Sequence, residues 1–159
     1  MHRRIFLKFS LFIFLGSYLF GEDRKELKII KSVLQHMFPS TKSFFGAQEL
    51  RSFSFFLYIF YDPSFAKEDH LFLLQGAKLL EKKYTLFLDL STQEKERALR
   101  EFEQTQRGKE WLALLLYYGL EAMLGDPIYH GNYAMLGWKN LKHQKPFPMA
   151  QKAFGAQDV

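Results

Sequence analysis

Cysteine is absent from this sequence, and its absence removes disulfides, thiolate zinc sites, iron–sulfur ligation and covalent haem attachment through Cys-x-x-Cys-His. An electron has no cysteine-ligated stopping place in this chain. Gly-x-Gly-x-x-Gly, the phosphate-binding loop and Gly-x-Ser-x-Gly are missing as well, so dinucleotide or flavin binding by a Rossmann unit and elbow-type hydrolysis have no support. His2, His36, His70, His130 and His143 form no His-Glu-x-x-His and no i, i+4 pair; they could ligate a metal or haem only by long-range assembly. Excess charge is scarce too. The net +5 falls to +2, with 19 basic against 17 acidic residues, once residues 1–21 are set aside, and a nucleic-acid partner loses its electrostatic support.

Aliphatic and aromatic residues, by contrast, are abundant. They make up 48% of 159 residues, and 18 of them are Phe. A chain of this length is about one domain, and this is more apolar surface than a solvated monomer of that size needs. Some of it is expected to face a partner.

Residues 1–21 are laid out as an export signal: Arg3, Arg4 and Lys8, then an apolar stretch from Phe9 to Phe20, then Gly21 and a charged run. The apolar stretch is shorter than the roughly 20 residues that span a bilayer. Arg3-Arg4-Ile5-Phe6-Leu7-Lys8 is similar to the twin-arginine pattern R-R-x-F-L-K, with His2 where Ser or Thr is usual. Twin-arginine export carries folded proteins, so a passenger can bring a partner with it; two arginines also suffice as the basic start of an ordinary secretory signal. Leu19 occupies the position two before Gly21 and spoils a small-x-small cleavage box. The residues leave open cleavage or retention as an uncleaved anchor.

Beyond the signal, residues 22–159 read as a single all-α bundle of four to five helices with an extended Gly- and Pro-containing tail. Leu27, Ile30, Val33, Leu34, Met37 and Phe38 recur at helical spacing before Pro39, which predicts a helix from about Asp23 to Phe38. A second is expected over Ala47 to Tyr61 and a third over Lys67 to about Leu88, with a break near Tyr84-Thr85. Ser91-Thr92-Gln93-Glu94 is a capping box. It opens a polar helix to Arg107 whose narrow apolar stripe is Ala98, Leu99 and Phe102, with Gly108 as its left-handed stop. Glu96 and Arg100 are spaced to pair along its solvated face, and Glu68 and Asp69 suit the positive end of the third helix. Lys109 to Leu124 is apolar on nearly every face, so it belongs at the bundle centre or offers one side to another protein.

The most informative segment comes directly after that helix: Gly125-Asp126-Pro127-Ile128-Tyr129-His130-Gly131-Asn132, then Gly137-Trp138-Lys139. Such residues make a backbone turn tightly and repeatedly. They suffice for a helix stop with Tyr129 and Trp138 plugged into the bundle, and they equally suit a docking loop. The order GDPxYGGN…GWK resembles the tail of the gluconate 2-dehydrogenase subunit 3 family, the small subunits of membrane-associated flavoprotein dehydrogenases. Gly125, Asp126, Pro127, Tyr129, Gly131, Asn132, Gly137, Trp138 and Lys139 match, whereas His130 stands where a second glycine is usual. A positive φ there costs His something, though His is among the more tolerant non-glycine residues.

What the resemblance implies is a non-catalytic accessory subunit of a periplasm-facing dehydrogenase complex, acting on a sugar, sugar acid or polyol. FAD would reside in a partner large subunit and haem c in a third, cytochrome c subunit. No catalytic, cofactor-binding or metal-ligating residue is then expected in this chain, and the twin-arginine translocase becomes a further partner. The location would be the periplasm or the periplasmic face of the bacterial inner membrane. Trp111, Tyr117 and Tyr118, with Tyr129 and Trp138, are the expected interface anchors, because large aromatics dominate interface energies. A stand-alone helical envelope protein with no redox partner, and an enzyme built on His and acidic residues without a recognisable motif, are the alternatives.

Overall fold

The computed structural model describes residues 24–152; the export signal expected at residues 1–21, with Arg3, Arg4, Phe6, Leu7 and Lys8, lies outside them. Among the described residues the chain is all-helical, with six α-helices and no strand. None of these helices is long and apolar enough to cross a membrane.

Helix α1, Lys25–Met37, buries Leu27, Ile29, Ile30, Val33 and Leu34 almost completely, each side chain contributing about 1.5–3 kcal/mol. In the chain's next part, α2 runs only over Ser52–Phe60, shorter than the Ala47–Tyr61 expected. Tertiary bonding overrides the helical rhythm there. The Ala47 amide donates to Phe38 O and the Ser52 amide to Ala47 O, while Arg51 turns left-handed at φ 55°. The buried face of α1 packs chiefly on α3, Lys67–Lys83, which buries Leu73, Leu74, Gly76, Ala77 and Leu80. Ion pairs from Lys25 to Glu81 and from Lys78 to Glu26 flank the seam.

Tyr84 ends α3, with its amide donating to Leu80 O. The break stands where the sequence places it, but beyond it the chain forms a left-handed Leu86 and a 3-10 turn, Phe87–Asp89, that inserts Phe87 into the core. Helix α4, Thr92–Glu103, has both halves of its capping box: Glu94 N donates to Ser91 Oγ and Ser91 N to Glu94 Oε2. Ala98, Leu99 and Phe102 form its buried stripe, and Arg100 pairs with Glu96. The expected extension to Arg107 is incorrect. Thr105 divides the run, its hydroxyl donating to Phe102 O and accepting from Gly108 N, so that Gly108 lies in the first turn of α5, Gln106–Leu124, and is not a helix stop.

Trp111 anchors α5 at the bundle centre. It is fully buried, its Nε1 donates 3.0 Å to Leu73 O, and Phe102 meets the ring edge-on. A Cβ on Gly76 would overlap this indole. Asp69, besides lying in the first turn of α3, accepts from Tyr118 Oη of α5 at 2.8 Å, a tertiary role that helix-end electrostatics does not suggest. Burial and the carboxylate together push the Tyr118 phenol well above its usual value.

Gly76→Ala is expected to destabilise the fold by about 1–3 kcal/mol or more through overpacking, seen as a lowered urea midpoint with an unchanged slope. The neighbouring His70 stacks on Phe60 at 4.1 Å, and burial, then the Arg24 charge, holds its pKa below the ordinary value. The unfolded chain therefore binds this proton first. Its contribution is fully present above a pH of about 6.5 and is lost as pH falls through the folded value. His70→Phe keeps a ring on Phe60 and should show a smaller loss of melting temperature between neutral and mildly acidic buffer than the wild type.

Candidate functional site

Any helix that ends inside a fold must find donors for its last four carbonyls. The segment after α5 supplies donors to three of them, Glu121 O, Ala122 O and Leu124 O. The Gly125 amide donates to Glu121 O at 2.8 Å, the Asn132 amide to Ala122 O at 2.6 Å, and Trp138 Nε1 to Leu124 O at 2.6 Å. Asn132 Nδ2 then satisfies Gly125 O, and its Oδ1 accepts from Gly137 N, both at 2.9 Å. Asn132 is fully buried and left-handed, with φ 42°. Gly131 and Gly137 are required by close approach, because a Cβ would overlap Ala122 O at the first and Met123 O at the second.

The rest of the motif shapes the turns. Asp126 Oδ1 accepts from Ile128 N and caps a 3-10 turn, Pro127–Tyr129, in which Pro127 is pre-set for the first position. His130 has φ 70°, the left-handed conformation in which a glycine would be unstrained. A second 3-10 turn, Tyr133–Met135, leads into the short helix α6, Leu136–Asn140, which carries buried Trp138 and exposed Lys139. Residues 125–140 thus form a knot over the end of α5, where an extended tail was expected.

The knot also grips the loop before α2. Asn140 exchanges two hydrogen bonds with the Phe45 backbone, and the Tyr133 amide donates to Leu50 O. Asn140 carries no motif signal in the sequence, and Arg51 falls inside an expected helix where it instead turns left-handed. Their role depends on contacts between segments far apart in the chain, which no local pattern reports.

The five expected anchors separate. Trp111 and Tyr118 are core residues bound to Leu73 and Asp69, so they are not available to a partner; Trp138 is 7% exposed and belongs to the knot. Tyr129 is half-buried, its ring 6.3 Å from that of Tyr58. Tyr117 alone of the five is exposed, at 58%. With it on the outer side of α5 stand Leu116, Leu120 and Leu124, all exposed. Spacings of three, four and eight residues place them on one helix face. The knot secures the C-terminal end of that face, whose apolar side chains form an exposed row along α5.

Among the described residues, no group of three or more His, Cys, Asp or Glu side chains converges in a way that could hold a metal ion. No family model, no curated protein and no solved structure matches this chain.

Asn132→Ala should remove about 2–4 kcal/mol, since it leaves Gly125 O and Gly137 N without their partner. Hydrogen exchange should then accelerate in the last turn of α5 and through residues 131–140 before it does so in α1.

Proposed function

We propose that this chain is a non-catalytic small subunit, similar to subunit 3 of gluconate 2-dehydrogenase, that docks on a FAD-bearing large subunit and escorts it through twin-arginine export. The observation that carries the reading is the apolar outer face of α5, Leu116, Tyr117, Leu120 and Leu124, left exposed beside the knot built from the family-like motif. A helix that contributes Trp111 and Leu115 to the core on one side and leucines to solvent on the other suits a bundle completed by a second surface. The remaining support is from sequence: the ordered matches at Gly125, Asp126, Pro127, Tyr129, Gly131, Asn132, Gly137, Trp138 and Lys139, and the Arg3-Arg4-Ile5-Phe6-Leu7-Lys8 run.

In this reading the chain's residues contribute surface and an address, while the partner carries the flavin and a cytochrome c subunit takes electrons onward at the periplasmic face of the inner membrane. The knot's part is to hold the end of α5 rigid, which lowers the ordering cost when the face is covered.

A stand-alone helical envelope protein is the second reading. It is favoured by the same knot, whose motif residues bond within the chain and need no partner to satisfy them.

Two variants separate these readings in cells. Changing Arg3 and Arg4 to Lys should leave both this chain and an active flavoprotein in the cytoplasm. Leu116→Glu with Leu120→Glu should export this chain normally while the flavoprotein stays behind. Periplasmic arrival of active flavoprotein in both variants would sink the escort role.

A further inference from the structure

Seven non-glycine residues among those described have positive φ, and five of them, Arg51, His130, Asn132, Ala134 and Met135, gather where the loop before α2 meets the knot. Left-handed backbone at side-chain-bearing residues persists only where the surroundings impose it, and such clusters mark places where a fold holds a particular geometry. Three of the five, Arg51, His130 and Ala134, line a pocket of about 360 Å³ there, together with Ser54, Gly131 and Tyr133. Its size is at the lower end of small-molecule sites, which run from about 300 to 1,000 Å³.

The chemistry of this pocket has one sign, with no Asp or Glu among its lining residues. The Arg51 guanidinium lies over the Tyr133 ring, 3.6 Å from its centroid, and has no carboxylate partner among the described residues. Stacking occupies the face of a guanidinium and leaves its edge, where the N–H donors point, open to a planar acceptor. The Ser54 hydroxyl likewise has no partner among the described residues. His130 is held with its ring 4.9 Å from that of Tyr58. An oriented fork, a free hydroxyl and an imidazole around one small polar space are the elements of oxyanion recognition.

We infer that this pocket binds a small oxyanion, a carboxylate or a phosphate, gripped edge-on by Arg51 with Tyr133 fixing the plane of the guanidinium. Tyr133 is positioned by a backbone bond between the two segments, its amide donating to Leu50 O, and Arg51 by a turn within its own loop, its amide donating to Gln48 O. The site is therefore built before a ligand arrives. It takes no part in the apolar face of α5, and stands whether or not that face docks a flavoprotein.

The test is a titration of the full chain, labelled with nitrogen-15, with inorganic phosphate in one series and acetate in another, at ionic strength held constant with chloride. Saturable shifts confined to the amides of Arg51, Gly131 and Ala134 and to the Arg51 side chain are expected, with the stronger of the two anions naming the ligand class. Arg51→Asn, whose new residue tolerates a left-handed backbone, should weaken binding about tenfold to a hundredfold, and Arg51→Lys, a charge without the fork, by less. Should Arg51→Asn fail to fold, the wild-type shift map decides alone. Unsaturable drift spread over surface lysines, undiminished affinity in a folded Arg51→Asn, or binding of an acidic peptide but of neither free anion would each overturn the assignment.

Discussion

A helix that is apolar on nearly every side cannot bury all of itself in a bundle of this size, and the architecture depends on how α5 is divided. One side, with Trp111, Leu115, Tyr118 and Ala122, is buried against the bundle. Gly76 lets α3 come close enough for Trp111 Nε1 to reach Leu73 O, and Gly119 gives the same close approach to the Phe38 ring. The opposite side remains exposed, with Leu116, Tyr117, Leu120 and Leu124. Burying an apolar side chain is worth about 1.5–3 kcal/mol, so this exposed row is a reserve of association energy that the isolated domain does not use.

The knot makes that division stable. Without donors from residues 125–138, the last turn of α5 would end with unpaired carbonyls beside buried side chains, each costing about 1–3 kcal/mol. Asn132 solves this economically because one amide side chain both donates and accepts, joining Gly125 O to Gly137 N across the turns. The family-like motif thus has a structural account within the chain at every matched position but Lys139, which is exposed. The motif's bonds fix the end of the helix whose outer face is exposed.

Much of the fold was legible because its signals are local. Leu27, Ile30, Val33 and Leu34 fall on one helical face, and the Ser91–Glu94 box forms as its spacing requires. Two boundaries were not legible. Arg51 breaks α2 because Ala47 and Ser52 bond to the preceding loop, and Thr105 splits a continuous-looking helix by serving both ends with one hydroxyl. Thr105 offered a readable signal, a capping residue three before Gly108, that the glycine itself obscured. In the candidate site, the turn residues declared a turn, but nothing in a helix apolar all round distinguishes buried Trp111 from exposed Tyr117. That distinction is set by Gly76 and Leu73, in a different helix far earlier in the chain.

We propose the outer face of α5 as a surface completed by a larger, flavin-bearing protein. The most direct measurement is purification of the full chain from native membranes under mild detergent, with size and visible absorbance recorded on the eluted species. A complex larger than the 18.9 kDa chain that carries bound flavin is expected. A monodisperse monomer without flavin, eluting from the same membranes in full yield, would contradict it.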